Sequence, residues 1–305
     1  MQATRFLGSS LLATLWLAGC SAGAGSRASL PASGGASPQL AGMLRQLQPA
    51  AQAFGEPAGR ATATLKIYLS NYNSNAVTTY FLNGKQTSPT ITDGIASPQT
   101  VEVDRNGKIY VADLAYGVTT YLPDGTKTTP SIPSYGADGV AIDTAGNIYI
   151  ANNFSGAITK YTKDGTQVAP TIGGFTYLNN VAVDKTGKIY AVDKNALTTY
   201  KPDGTPTTPT ITMTGKYPVA VRVRHSKIYV AVAGANKIRT FALDGKPATP
   251  TIAIRSPHGL AVSTDGNIYA TDATDNEMFT YNAQSGKQVA PTITGINGAT
   301  GVGVH

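Results

Sequence analysis

The stretch Gly107–Asp113, "GKIYVAD", recurs in close variants along the chain. The other copies are "LKIYLSN" from Leu65, "GNIYIAN" from Gly146, "GKIYAVD" from Gly187, "SKIYVAV" from Ser226 and "GNIYATD" from Gly266. Successive Ile-Tyr pairs are about 40 residues apart, and a Pro-Thr-Ile or Pro-Ser-Ile triplet keeps the same spacing. A chain of 305 residues has room for two ordinary domains, but self-similarity at a fixed period indicates a single repeat array.

One repeat, Val140–Ile172, shows the unit most clearly. Four short runs rich in β-branched and aromatic residues, "GVAID", "NIYIA", "AITKY" and "QVAPTI", alternate with turn residues. An Asp-x-x-Gly turn such as Asp143–Gly146 follows the first run, and a two-residue hairpin signal such as Asp164-Gly165 follows the third. The unit is therefore predicted to be a four-stranded antiparallel meander.

The two ends of the repeat region complement each other. The first copy has no first strand before it, whereas the chain ends with "NGATGVGVH", Asn297–His305, which aligns with a first strand and then stops. Four strands in about 40 residues is the size of a propeller blade. The sequence thus predicts an all-β, six-bladed propeller over residues 63–305, in which the C-terminal strand completes the first blade.

The segment Ser256–Tyr281, "SPHGLAVSTDGNIYATDATDNEMFTY", resembles an NHL repeat, and the likeness extends to every copy. The resemblance implies a six-bladed NHL-like propeller, a fold that carries binding proteins, lactonases and lyases alike. The fifth repeat departs from the pattern, because Arg222 and Arg224 stand where other copies have Ala and Asp, and Val232 replaces the usual Asp or Asn.

The first twenty residues, "MQATRFLGSSLLATLWLAGC", combine one Arg, an apolar run and small residues, as in a secretory signal. Leu17–Cys20 resembles the lipobox of bacterial lipoproteins, and Cys20 is the only cysteine of the chain. The resemblance implies removal of residues 1–20 and a lipid, such as one carrying palmitate, on Cys20. Because Ser21 rather than Asp follows, it further implies an exported protein anchored in the outer membrane, at the periplasmic face or the cell surface.

Residues 21–62 consist mainly of Ala, Gly, Ser, Pro and Gln, which offer too little apolar surface to offset the entropy of ordering the chain. We interpret this segment as a flexible tether. The formal net charge of +7 is spread out without a basic run. With export, this argues against a nucleic-acid partner and leaves contact with the membrane to the lipid anchor.

In an antiparallel meander, the Asp-x-x-Gly turns and the hairpins lie on one rim, and the more variable loops lie on the other. Variable loops on a regular scaffold are the usual place for binding residues. Five tyrosines fall in these loops: Tyr72, Tyr116, Tyr135, Tyr177 and Tyr217. They predict an aromatic face that binds a protein, peptide or glycan of the cell envelope. The alternative is that these rings only fill the loops that carry them.

Candidate polar ligand-binding residues lie where first strands begin, near the propeller axis. These residues are Gln99, Asp138, Asn180 and His258, none of which repeats from blade to blade. By contrast, Asp113, Asp193 and Asp272 share one repeat position after the second strand, which is typical of turn caps.

Catalysis is the second hypothesis. Gluconolactonase-like propellers, which share this architecture, hold a divalent cation at the axis, and the resemblance implies that Asp138, Asn153 and Asn180 could imitate such a calcium site. The glutamate expected in the first blade is missing, and a virginiamycin lyase-like mechanism would have only His258 as its base. Binding, with no required cofactor, is therefore favoured over a metal-dependent lactonase or lyase.

One position in the first strand is Ala141, Ala182, Ala261 and Gly303 in four blades, but Glu102 in the second and Arg222 in the fifth. The second and fifth blades of a six-membered ring are opposite each other. We therefore expect both charges to line the channel, joined through water or gripping a polar ligand.

Overall fold

The computed structural model describes residues 65–305. The predicted signal peptide, the Cys20 lipidation site and the predicted tether lie outside these residues, as do the first two positions, 63 and 64, of the predicted propeller region. Twenty-four β-strands and two single-turn 3₁₀ segments make up the described chain. Within it, no helix is long and apolar enough to cross a membrane.

The strands follow one another in groups of four. The first eleven are β1 (Lys66–Asn71), β2 (Ala76–Phe81), β3 (Gln86–Ile91), β4 (Pro98–Val103), β5 (Ile109–Asp113), β6 (Gly117–Tyr121), β7 (Lys127–Pro133), β8 (Ala137–Ile142), β9 (Ile148–Asn152), β10 (Ala157–Tyr161) and β11 (Gln167–Gly173). The others are β12 (Leu178–Val183), β13 (Ile189–Asp193), β14 (Ala196–Tyr200), β15 (Pro206–Thr212), β16 (Pro218–Arg224), β17 (Lys227–Val232), β18 (Lys237–Ala242), β19 (Pro247–Ala253), β20 (Pro257–Val262), β21 (Asn267–Asp272), β22 (Glu277–Asn282), β23 (Gln288–Ile293) and β24 (Ala299–Val304).

These strands form six antiparallel four-stranded sheets, and the predicted six-bladed propeller is confirmed. Blade 1 has the order β24-β1-β2-β3, and blades 2 to 6 take the remaining strands in sequence, four at a time. The innermost strands β24, β4, β8, β12, β16 and β20 each contact the next one around the axis, and β20 contacts β24 again. The ring is closed, which leaves no long sheet edge exposed.

Closure depends on the C-terminal strand, as the sequence predicts. β24 pairs with β1 through Ile67 opposite Val304 and Leu69 opposite Val302. Beyond this ladder, the Lys66 amide donates to the His305 carbonyl at 2.7 Å and the His305 amide donates back at 3.1 Å. The first and last described strands of the chain are thus joined in one sheet.

The repeated Ile-Tyr pair forms the interior between blades. The isoleucines of all six pairs are 0% exposed, and the tyrosines at most 3%. Three of these tyrosines also donate their hydroxyl protons to the Asp that begins the neighbouring turn: Tyr110 to Asp104, Tyr149 to Asp143 and Tyr190 to Asp184. The motif therefore couples blade packing to turn geometry.

The hairpin glycines and the Pro-Thr-Ile prolines also meet between blades. Gly125 lies against Pro89 of the preceding blade, so closely that a Cβ there would lie 2.6 Å from the proline Cβ. Five further pairs repeat this contact, with Cβ distances of 2.5 to 2.8 Å: Gly165 with Pro130, Gly204 with Pro170, Gly245 with Pro209, Gly286 with Pro250 and Gly84 with Pro291. Since Gly84 belongs to blade 1 and Pro291 to blade 6, the last of these contacts spans the ring closure.

Replacing one of these glycines should destabilise the propeller by overpacking as well as by backbone strain. Gly245→Ala puts a Cβ 2.5 Å from Pro209 at φ +88°, whereas Gly266→Ala has φ +87° and nothing within 4 Å. Both variants take on the strain of a left-handed alanine, about 1–2 kcal/mol. Gly245→Ala should lose a further ~1–3 kcal/mol because Pro209 must shift.

Urea denaturation of the two variants and the wild type measures the difference directly. Equal losses of the free energy of unfolding in Gly245→Ala and Gly266→Ala would contradict a packing role for the glycine–proline contact.

Candidate functional site

The propeller has two different faces. We call the side that carries the Asp-x-x-Gly turns and the hairpins the turn face. The opposite side, with the loops between second and third strands and the links between blades, is the loop face. The inner strands run from the loop face to the turn face, so Asp138 of β8 lies near the loop face and Ile142 of the same strand near the turn face.

Six aromatic side chains on the loop face are exposed, between 41% and 71%, and we call them the aromatic arc: Tyr72, Tyr116, Tyr135, Phe154, Tyr177 and Tyr217. The arc runs from the loop of blade 1 to the link between blades 4 and 5, and the later loops of the described chain contain no aromatic residue. Phe175, also in a link, instead packs at 5.9 Å against Tyr200. Loop filling thus accounts for Phe175 and not for the arc.

Local structure holds several of these rings outward. Tyr177 and Tyr217 have φ values of +57° and +50°, a left-handed backbone that is unusual for bulky residues. The ammonium group of Lys194 lies 4.9 Å from the centre of the Tyr177 ring. Tyr135 and Phe154 contact each other with their ring centres 5.0 Å apart. These rings are therefore supported locally and still exposed to solvent.

The four axial residues predicted from sequence lie together around a very small cavity. Gln99, Asp138, Asn180 and His258 all line one cavity of about 10 Å³ at the loop-face end of the channel. That is barely one water molecule. Gln99 and Asn180 are buried, and the Gln99 amide donates to the Ser97 carbonyl at 3.5 Å. A ligand could enter only if this end of the channel opened.

Burial changes the acid–base properties of this end. It raises the pKa of Asp138 to about 7, against the opposing effect of the Asn153 amide, which donates to Oδ2 at 3.2 Å. Burial also lowers the pKa of His258, although the Thr300 backbone partly offsets this. Burial thus favours the neutral form of both side chains.

A charged partition closes the channel above this cavity. Arg222 Nη2 donates to Glu102 Oε2 at 3.0 Å, and Nη1 donates to Asn180 Oδ1 at 3.2 Å and to the Val221 carbonyl at 3.0 Å. The Asn180 amide in turn donates to Thr100 Oγ1 at 3.2 Å. Both charges line the channel as expected, but they meet directly rather than through water.

The arrangement does not fit a calcium site. Calcium binds six to eight oxygen ligands, mostly carboxylates and carbonyls. Here Asp138 faces the Nδ2 nitrogen of Asn153, and the Asn180 oxygen accepts a hydrogen bond from the Arg222 guanidinium. Within residues 65–305, no three His, Cys, Asp or Glu side chains come together as a metal-binding group.

The polar position at the end of the second strand, repeated in five of the six blades, acts as a turn cap at Asp113, Asp193 and Asp272, as predicted. Asp113 Oδ1 accepts from the Ala115 and Tyr116 amides, and Oδ2 accepts from the Ala96 and Ser97 amides at 2.8 Å. Asp193 and Asp272 accept backbone amides in the same way. These carboxylates are occupied by backbone amides of the loop face.

Sequence reasoning missed the larger space. A cavity of about 590 Å³ opens at the turn-face end of the channel, and Glu102, Arg222 and Arg224 are among the residues that line it. The sequence of the fifth repeat contains a signal that could have pointed to this cavity. Its departures at Arg222 and Arg224 lie in this cavity, and its turn is one residue shorter, since two residues separate Arg224 from Lys227 but three separate Asp104 from Lys108.

No protein-family model matches the chain, and no curated protein is significantly similar to it. Solved structures do resemble it. A crystal structure of a nidogen/laminin complex has a TM-score of 0.67 at 16% identity, covering 79% of this chain and 98% of that chain. A protein of unknown function from Bacteroides caccae has a TM-score of 0.63 at 12% identity, covering 79% and 99%. A streptogramin B lyase has a TM-score of 0.58 at 15% identity, covering 78% and 83%. At these identities the likeness is one of fold.

The raised pKa of Asp138 should make the protein less stable as the pH rises from about 4 to 7. In this window the unfolded chain, with a pKa near 3.8, gives up the proton while the folded protein keeps it. Folding therefore takes up a proton, and the free energy of unfolding falls with pH, by an amount on the order of 2–4 kcal/mol. Asp138→Asn cannot titrate and should lack this fall.

Urea denaturation at several pH values between 4 and 8 compares the two proteins. Asn153→Ala serves as the second variant, because removing its amide donor should move the end of the window to higher pH. Parallel profiles for the wild type and Asp138→Asn would rule out the shifted carboxyl.

Proposed function

We propose that the protein is an exported, lipid-anchored binding module whose aromatic arc holds a protein partner of the cell envelope. The observation that carries this proposal is the exposure of six aromatic rings on one face, in loops and links from blade 1 to the link between blades 4 and 5, within residues 65–305. Isolated exposed apolar residues are ordinary, but a concentration of exposed rings on one face, two of them (Tyr135 and Phe154) in contact, favours an interaction surface. Tyrosine is enriched in interfaces because its ring offers area at low entropic cost.

The local backbone supports the same proposal. A left-handed conformation at Tyr177 and Tyr217 costs free energy that a Gly or Asn at these positions would not. Nothing in the interior needs these two rings, since each is more than half exposed. A contact outside the described chain would account for both the conformation and the exposure.

Two further observations favour a protein as the partner. The resembling structure with a TM-score of 0.67 is a nidogen/laminin complex, and so a propeller of this architecture is found in an assembly of proteins. The exposed rim of the later blades is polar, with Arg255 paired to Asp275 at 3.0 Å. An apolar arc beside a polar rim is the usual composition of a protein interface.

The predicted lipid anchor and tether would let the loop face bind a partner away from the membrane. The lipobox-like Leu17–Cys20 and the Ala/Gly/Ser/Pro-rich residues 21–62 support a propeller held on a flexible chain. Fully extended, such a tether would span on the order of 100 Å. The module could thus engage its partner at a distance from the outer membrane.

Site-specific photocrosslinking in cells that make the protein tests the proposal. A benzophenone amino acid replaces Tyr135 or Tyr177 on the aromatic arc, and Leu122, which is 42% exposed on the turn face, is the control position. We expect one discrete protein adduct from the arc positions and none from Leu122. Tyr116→Ala combined with Tyr217→Ala should reduce the adduct at least about tenfold, since each ring contributes on the order of 1–2 kcal/mol.

The outcomes separate the alternatives. Equal adducts from both faces, or none from the arc, would contradict the proposal. An adduct that a peptidoglycan hydrolase removes but a protease does not would show that the partner is a glycan rather than a protein. Circular dichroism and urea denaturation of the variants establish that the fold is retained.

The metal-dependent lactonase or lyase hypothesis has one observation in its favour, the position of His258 in the axial cavity, where burial lowers its pKa. Because the donors beside it do not fit calcium, we expect no calcium binding. Titration calorimetry of the full chain with CaCl₂, with Asp138→Ala beside the wild type, measures this. Heat of binding in the wild type that is lost in the variant would revive the enzyme hypothesis.

A further inference from the structure

We propose that the cavity at the turn face is a second binding site, which takes a short apolar peptide of about two residues with free termini. This site is separate from the aromatic arc, since it lies at the opposite end of the channel. Its volume of about 590 Å³ is in the range of small-molecule sites.

The space exists because of the residues on the inner strands. Where the second and fifth blades carry Glu102 and Arg222, the other four carry Ala or Gly, and all of these positions line the cavity. Nearer the mouth, each inner strand adds a β-branched apolar residue, Val or Ile. The cavity therefore has apolar walls around one ion pair, the usual composition of a site that orients a ligand through few polar groups.

The ion pair leaves one carboxylate oxygen available. Arg222 binds Oε2 of Glu102, while Oε1 has no hydrogen-bond partner among residues 65–305. The Glu102 side chain is 29% exposed in the cavity although it lies inside the propeller. Burial raises the pKa of this carboxyl, and the charges of Arg222 and Arg224 oppose the rise. An ammonium group of a ligand would supply the missing donor to Oε1.

A second charge lies nearer the mouth. Arg224 is exposed, lines the cavity and pairs with no carboxylate within the described part of the chain. The acidic residues at the mouth are occupied. Asp143 accepts from the Ala145 and Asn147 amides and from the Tyr149 hydroxyl, and Asp184 is saturated in the same way. Arg224 is thus free to bind a carboxylate.

The position of Arg224, two residues beyond the Arg222 that binds Glu102, sets the length of the proposed ligand. Arg224 follows Arg222 by two residues on β16, a rise of about 7 Å along a strand. Two residues of an extended peptide span about the same distance. A dipeptide could place its ammonium group at Glu102, its carboxylate at Arg224 and its apolar side chains against the Val and Ile walls.

The fifth blade is also strained at this mouth. His225 and Ser226 form the two-residue turn between β16 and β17, and both have left-handed φ values, +50° and +58°. Gly or Asn would normally be expected there. The unstrained Asp-x-x-Gly turn of the neighbouring blades would put Asp where Arg224 is. Strain of this kind is typical of functional sites, and here it accompanies the placement of a free cation at a cavity.

Titration calorimetry of the full chain with L-leucyl-L-leucine tests the proposal. N-acetyl-leucyl-leucine lacks the ammonium group and leucyl-leucine amide lacks the carboxylate. We expect each modified ligand to bind about ten- to a hundredfold more weakly, as for the loss of one charge-assisted hydrogen bond.

Protein variants assign the two ends. Arg224→Gln should weaken leucyl-leucine and leave the amide unaffected, and Glu102→Gln should weaken leucyl-leucine and leave the acetylated peptide unaffected. Lys227→Gln removes a charge from the same hairpin without lining the cavity and should bind like the wild type. Because Arg224 is exposed, its variant remains informative if Glu102→Gln fails to fold.

Absence of binding by leucyl-leucine would overturn the proposal. So would equal affinity for the acetylated peptide, which would make the site one for anions in general. Neither result bears on the aromatic arc, whose crosslinks are measured on the other face.

Discussion

The contact between a hairpin glycine and the proline of the preceding blade is the constraint on which the rest of the structure depends. A blade alone exposes both faces of a four-stranded sheet, and only a neighbour on each side can bury them. The glycine–proline contact sets how closely two blades approach at the turn face. It is made six times, and the sixth, Gly84 with Pro291, joins the first blade to the last. Packing and closure are therefore one requirement.

In such a ring, some positions must repeat in every blade, and other positions are free to vary. The second strands, with their Ile-Tyr pairs, are fixed by packing on both sides. The loops of the loop face and the axial positions of the inner strands meet no equivalent demand. The exposed aromatic arc occupies the first of these free regions, and the Glu102–Arg222 pair occupies the second. Function on such a scaffold is found by looking for what does not repeat.

Much of this could be predicted from the sequence, because it depends on local pattern. Period, hairpin residues and the unpaired first copy were sufficient for six blades and a C-terminal closing strand. The caps at Asp113, Asp193 and Asp272 followed from their repetition. The turn-face cavity could not be predicted, since the free space inside a channel depends on its diameter and on how far opposed side chains reach. For the same reason, the sequence could not predict that Glu102 and Arg222 contact each other directly. It did predict that they lie in opposite blades of the ring. The shortened turn at His225 and Ser226 was readable by counting, and it lies at that cavity.

The charged partition connects these observations. A buried ion pair is rarely the most stable way to fill a space, because apolar residues of similar volume do as well or better. In the other four blades, Ala or Gly occupies the same level of the channel, and no charged side chain lies there. Stability alone therefore does not require Glu102 and Arg222. The pair separates two cavities of the channel, since Arg222 lines both the narrow loop-face cavity and the wide turn-face cavity. Through Asn180, which accepts from Arg222 and donates to Thr100, the guanidinium is held in position from the narrow side while Glu102 stays accessible from the wide side. A charge so fixed, with its partner's second oxygen left open, is the arrangement expected of a group that binds a ligand rather than one that only fills the channel.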